Sequence, residues 1–209
     1  MKVEIAFEKP APNFSAVFKI NMKIYSCGGL HYGCIADLLS IDDSGRCVKL
    51  HSMNHKRHSI SLSGLASRLI ALGGVSNRGR LKYCEKYEVE RNKWSELAPL
   101  NAARSSPGSI LLPSKIAFCF CGSEGARKQL NSIEHLQTEL EWRTLPLNDK
   151  IVETFHLAAT QYGNKIVLFG GFSLASYNTY ILSEEGKVEQ DLSQDPLIPG
   201  AMCRGTYSV

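Results

Sequence analysis

The sequence predicts an all-β chain assembled from about four copies of one small four-stranded unit. Three observations carry this. An apolar strand ending in small residues recurs, at 23–29, 68–74, 115–123 and 165–171. The leading glycines fall at Gly28, Gly73, Gly122 and Gly170, at spacings of 45, 49 and 48 residues. Trp94 and Trp142 are 48 apart, and Pro99 and Pro146, which follow them, are 47 apart. The runs between are short, rich in Val, Ile, Tyr and Phe, and punctuated by Gly and Pro, which favours strands. No long stretch keeps a helical 3.6-residue period.

Each unit has the same internal order. An apolar strand and a tight turn lead into the strand that ends in paired small residues: Gly28-Gly29, Gly73-Gly74, Gly122-Ser123 and Gly170-Gly171. A polar loop follows, then a third strand at 38–41, 85–88, 132–136 and 178–182. A last strand carries Trp94 or Trp142, with Cys47 and Val48 where the first unit would have its Trp. Tyr180 in unit four is read as the counterpart of Tyr87 in unit two. The units run about 14–50, 59–97, 105–145 and 155–192, within one repeat region spanning 1–209. The flanks echo partial strands: Val3 to Pro12 looks like the end of a unit, and Arg204 to Val209 like the start of one.

The order of Gly73-Gly74, Tyr87, Trp94 and Arg104 resembles the kelch repeat, whose period is roughly 50 residues. The resemblance covers nearly the whole chain. It implies a β-propeller of four-stranded blades, each burying its faces against its neighbours. Propellers have about 4–8 blades. The count therefore describes a small propeller, or a set completed by further blades or by a second copy of the chain.

Net charge is +4, distributed unevenly. Arg46 to Arg104 holds 12 Lys/Arg against 4 Asp/Glu, and the rest holds 12 against 16. A basic zone steers acidic partners in a salt-sensitive way. It is too weak, and lacks the recognition fold, for nucleic-acid binding. No apolar run approaches the roughly 18 residues of a membrane helix, and the first ten residues have no signal-type apolar core. Seven cysteines, an odd number without a CxxC pair, predict a reduced cytoplasmic chain.

The candidate chemistries fail on spacing. His51, His55 and His58 are spaced for one helical face, but they lie in a connection between strands beside Lys56 and Arg57, so no metal site is expected. The Asp42 to Gly45 segment and the Glu184-Glu185-Gly186 segment read as hairpin turns. Gly28 and Gly33 mimic half a phosphate loop, without the Lys or a following helix. A copper oxidase or sialidase of propeller type would need ligand or carboxylate sets that no spacing picks out. Neither an enzyme nor a cofactor is expected.

The resemblance instead implies a protein-interaction module. Its loops after the glycine pairs, and the connections between blades, gather on one face that takes a protein or peptide partner, here an acidic one. By position the first set is His31 and Tyr32, then Asn77, Arg78 and Arg80, then Arg127 and Lys128 with Glu124, then Tyr177 and Asn178 with Ser173. The connections add Arg57, His58, Arg104, Ser105 and His156. Arg and Tyr are common interface anchors. The alternative is a structural segment of a larger kelch adaptor, of a cytoskeleton or a ubiquitin ligase.

Overall fold

The structure is a computed structural model, and it describes residues 12–125, 128–145, 154–171 and 178–192. The segments echoing partial strands, at 3–11 and 204–209, lie outside them, as do Pro146, Arg127, Tyr177 and the side chain of Asn178. The described chain is all-β, in four four-stranded antiparallel sheets of propeller-blade type. It divides into two compact units, Met1–Ser105 and Ser106–Val209, with two sheets in each.

In the first unit, blade 1 runs in the order β1 (Ala16–Ile20), β2 (Lys23–Cys27), β3 (Leu38–Ile41) and β4 (Cys47–Leu50). Blade 2 is formed by β5 (Ser61–Leu65) and β6 (Arg68–Leu72), and by β9 (Cys84–Glu88) and β10 (Lys93–Leu97). A short hairpin, β7 (Val75–Ser76) with β8 (Gly79–Arg80), rises between them. In the second unit, blade 3 is β11 (Gly108–Leu111), β12 (Ala117–Phe120), β13 (Ile133–Leu136) and β14 (Trp142–Thr144). Blade 4 is β15 (Leu157–Tyr162), β16 (Lys165–Gly170), β17 (Asn178–Ser183) and β18 (Val188–Asp191).

Alternation along the strands decides where the core lies. In blade 1, Ala16, Phe18 and Ile20 share a face with Tyr25, Cys27 and Leu38, and this face packs on Leu62, Leu69, Ala71 and Tyr87 of blade 2. Trp94 closes the same core, its ring 5.1 Å from that of Tyr87. In blade 4, Leu157, Leu168, Tyr180 and Leu182 pack with Phe118, Phe120 and Ile133 of blade 3. Burying each of these large side chains contributes about 1.5–3 kcal/mol.

The paired small residues close each blade through the main chain. Gly28, Gly73 and Cys121 donate their amides to Asp37, Tyr83 and Ser132, at 2.9, 3.0 and 3.0 Å. The next residues, Gly29, Gly74 and Gly122, donate to Arg57, Arg104 and Thr154, in the connections leaving their blades, at 3.0, 2.8 and 2.8 Å. This pattern corrects the pairing expected in unit three, which is Cys121-Gly122 rather than Gly122-Ser123. The backbone agrees: φ is 65°, 61° and 54° at Gly28, Gly73 and Cys121, and 122°, 103° and 104° at the three that follow. Gly28 has to be glycine, because a Cβ there would lie 2.5 Å from the Arg57 carbonyl oxygen.

The third strand needs a second correction. Leu69 pairs with Tyr87, four residues before Gly73, and Ile166 pairs with Leu182, four before Gly170. Leu182, not Tyr180, is therefore the counterpart of Tyr87. Tyr180 pairs with Leu168 as Glu85 pairs with Ala71, and so occupies the position of Glu85. The register slip was invisible because both side chains are buried aromatics.

Candidate functional site: the loop face of the first unit

Two tight loops and one connection build the candidate surface. After Gly29 the chain turns back sharply. Leu30 bridges Cys34, and His31 donates its amide to Gly33 at 2.9 Å. This leaves Tyr32 at the apex in the left-handed region, at φ 52°, fully exposed. After Gly74 the β7–β8 hairpin turns through Asn77 and Arg78, both exposed. Ser76 holds this turn: its hydroxyl accepts from the Arg78 amide at 3.1 Å and donates to Gly79 O at 3.2 Å. The residues of this turn were expected to lie in a polar loop; the Asn77-Arg78-Gly79 run was the available signal for a hairpin.

The connection from blade 1 to blade 2 joins the two loops. His58 bridges Val75, with N–H···O bonds of 3.0 and 2.9 Å in the two directions. Asn13 bridges Leu30 in the same way, and Ser59 donates its amide to Phe14 at 3.0 Å. The rings of Phe14 and His58 lie 5.8 Å apart, and the Cys34 thiol reaches Val75 O at 3.6 Å. Burial pushes the His58 imidazole below its usual pKa. Arg80 is half-buried and donates from Nε to the Ser105 hydroxyl at 3.3 Å. The segments carrying His31 and Tyr32, Phe14, His58, and Asn77, Arg78 and Arg80 are thus joined through one set of backbone bridges, with aromatic rings on the blade 1 side and arginines on the hairpin.

Arg57 and Arg104 do not belong to that surface, contrary to expectation: both are fully buried. Nη1 of Arg57 donates to Gly73 O at 2.9 Å and Tyr83 O at 2.6 Å. Its Nη2 donates to Glu85 Oε1 at 3.0 Å. Glu85 also accepts the amides of Asn54 at 2.7 Å and His55 at 3.3 Å. A buried carboxylate needs such a full set of donors. The pair therefore ties the connection to blade 2, and desolvation pulls the Arg57 pKa down despite its partner.

Sequence reasoning missed Glu85. Its signal was pairwise: Glu134 takes the same position in blade 3, where Arg104 replaces Arg57, while blade 1 has Pro12 with Leu39 and blade 4 has Thr154 with Tyr180. Both charges of the pair are present in blades 2 and 3, and both are missing in blades 1 and 4.

In the second unit, Lys128 is exposed with its Nζ 2.6 Å from Glu124, and the exposed His156 donates its amide to Ser106 O at 2.8 Å. No group of three or more His, Cys, Asp or Glu placed to hold a metal occurs among the described residues. Among the described residues no helix is long and apolar enough to cross a membrane.

These features define a class, the repeat proteins built from propeller blades with their variable residues in loops. The family model for the Kelch motif matches residues 56–101, from just before the buried Arg57 through the second glycine pair, Glu85, Tyr87 and Trp94. That segment matches the Kelch motif, and the other three four-stranded sheets repeat its framework.

Proposed function

We propose that the chain is a non-enzymatic protein-interaction module whose loop face in the first unit takes an acidic peptide. One observation carries the reading. Arg57 of the connection is buried and spends its Nη atoms on the fold, whereas Arg78 and Asn77 are exposed on a turn that their own side chains do not build. Exposed Arg can take a carboxylate with two parallel hydrogen bonds. Kelch-type propellers are binding scaffolds rather than catalysts as a rule, which agrees.

The test is Arg78→Glu with Arg80→Glu, followed by capture of partners from lysate at two salt concentrations. An unchanged partner set would sink the site assignment. A cytoplasmic setting is part of the proposal, supported by six free cysteines among the described residues.

A second reading, a structural segment of a larger assembly of blades, has its own observation. The face of blade 1 turned away from blade 2 exposes Val17 by 60% and Ile24 by 39%. A further blade, from this or another copy, would bury them. Solution mass measured by light scattering tests it.

A further inference from the structure

We infer that the strip from Tyr32 to Arg78 reads two features of one extended peptide: an apolar side chain at its aromatic end and a carboxylate at its basic end. The inference rests on the peptide-binding reading above and sharpens it. It starts from two rings in backbone conformations that cost free energy. Tyr32 is 102% exposed at φ 52°, and among the described residues the His31 ring lies against it at 4.7 Å. A left-handed bulky residue costs about 1–2 kcal/mol that Gly or Asn would spare. No core packing offsets that cost, so folding alone does not explain an aromatic there.

Phe14 adds an independent observation. Its φ of 58° belongs to the repeat, because Ser59, Ser106 and His156 hold the matching positions at 51°, 50° and 61°. The backbone is shared, so the side chain is free to vary, and two blades place a small serine there. Blade 1 places a phenylalanine that is 51% exposed, against the His58 ring. The bridges Asn13–Leu30 and His58–Val75 fix Phe14 between the Tyr32 turn and the Arg78 hairpin.

An apolar surface of this kind gains when a side chain of a partner covers it. Arg78, at the far end, supplies the charge complement for Asp or Glu. A peptide is favoured over a polynucleotide because the strip pairs one exposed arginine with aromatics. It lacks the row of cations that tracks a phosphate backbone.

The probe is a phage-displayed library of random twelve-residue peptides selected on the full chain. Selected peptides are then measured by fluorescence polarisation. The variants are Phe14→Ser, which copies blades 2 and 3, Tyr32→Asn, which tolerates the same backbone, and Arg78→Glu. The expected result is enrichment of an aromatic or aliphatic residue at a constant spacing from Asp or Glu. Phe14→Ser and Tyr32→Asn should each weaken binding at least tenfold and erase the apolar preference while keeping the acidic one. Arg78→Glu should erase the acidic preference.

Acidic peptides without an apolar preference would overturn this inference and leave the acidic-peptide reading standing. Peptides indifferent to all three substitutions, or no enriched peptides at all, would overturn both. A labelled oligouridylate bound as tightly as the peptides, and lost in the same variants, would overturn the peptide assignment. Circular dichroism of each variant, with melting within a few degrees of the parent, separates lost contacts from lost fold.

Discussion

Blades 1 and 2 share a backbone plan and differ in how their first connection is held. Blade 2 anchors it with a buried ion pair, Arg57 to Glu85, whose carboxylate also takes two main-chain amides. Blade 1 has Pro12 and Leu39 at the same positions, and its Trp position holds the exposed Cys47. Blade 1 instead presents rings, Phe14 and Tyr32, at its loops. The comparison teaches that the polar anchor is one solution to joining blades, and that the exposed loop chemistry varies separately from it.

The sharpest way to break the contrast is Glu85→Ala. It strands a buried guanidinium and two amides, and it should cost about 3–5 kcal/mol, read as a lower urea midpoint. The double variant Arg57→Leu/Glu85→Leu makes blade 2 resemble blade 1. It should be more stable than either single truncation by about 1–4 kcal/mol. If it is no more stable than Glu85→Ala, the anchor is specific to blade 2 rather than exchangeable.

Gly28→Ala comes next. The left-handed φ and the approach to Arg57 O should together cost about 2–3 kcal/mol by thermal melting. Replacing Trp94 by Phe loses the 2.8 Å bond from its Nε1 to His51 O and leaves a small cavity, for about 1–2 kcal/mol. In blade 1 the matching Cys47→Ser should change stability by less than about 0.5 kcal/mol, because the residue is exposed.

The smallest effect concerns pH. Burial lowers the His58 and His135 pKa below the ordinary 6.5. A depressed folded-state pKa gives stability that is present above 6.5 and lost as pH falls below it. The urea midpoint should therefore drop between pH 7.5 and 5.5, and His58→Asn should flatten part of that drop. An unchanged slope in His58→Asn would remove His58 from the account.

Much of the fold was legible because its strongest signals are steric. Only glycine fits easily where a backbone turns left-handed against a neighbouring carbonyl, as at Gly28 and Gly73, and Gly170 has a left-handed φ at the matching strand end. Trp94 and Trp142 marked the outer strands because few side chains fill that space. The reading failed where a residue defied its type. Cys121 takes a glycine's conformation, which displaced the third pair by one position. Arg57 and Arg104 were placed on the surface by their position in the connections between blades, and only the three-dimensional pairing of Arg57 with Glu85 shows why Arg57 is buried instead. Tyr32 and Arg78 were read correctly as loop residues, but their connection through Val75, His58 and Phe14 depends on bridges between distant segments.

The amides of Gly29, Gly74 and Gly122 reach a carbonyl in the outgoing connection, not a side chain. This hydrogen bond uses only the main chain of the residue it reaches, and Arg57, Arg104 and Thr154 all accept it. The latch between consecutive blades is therefore a main-chain one, and the side chain at the junction is left to serve a second purpose, as Arg57 does with Glu85.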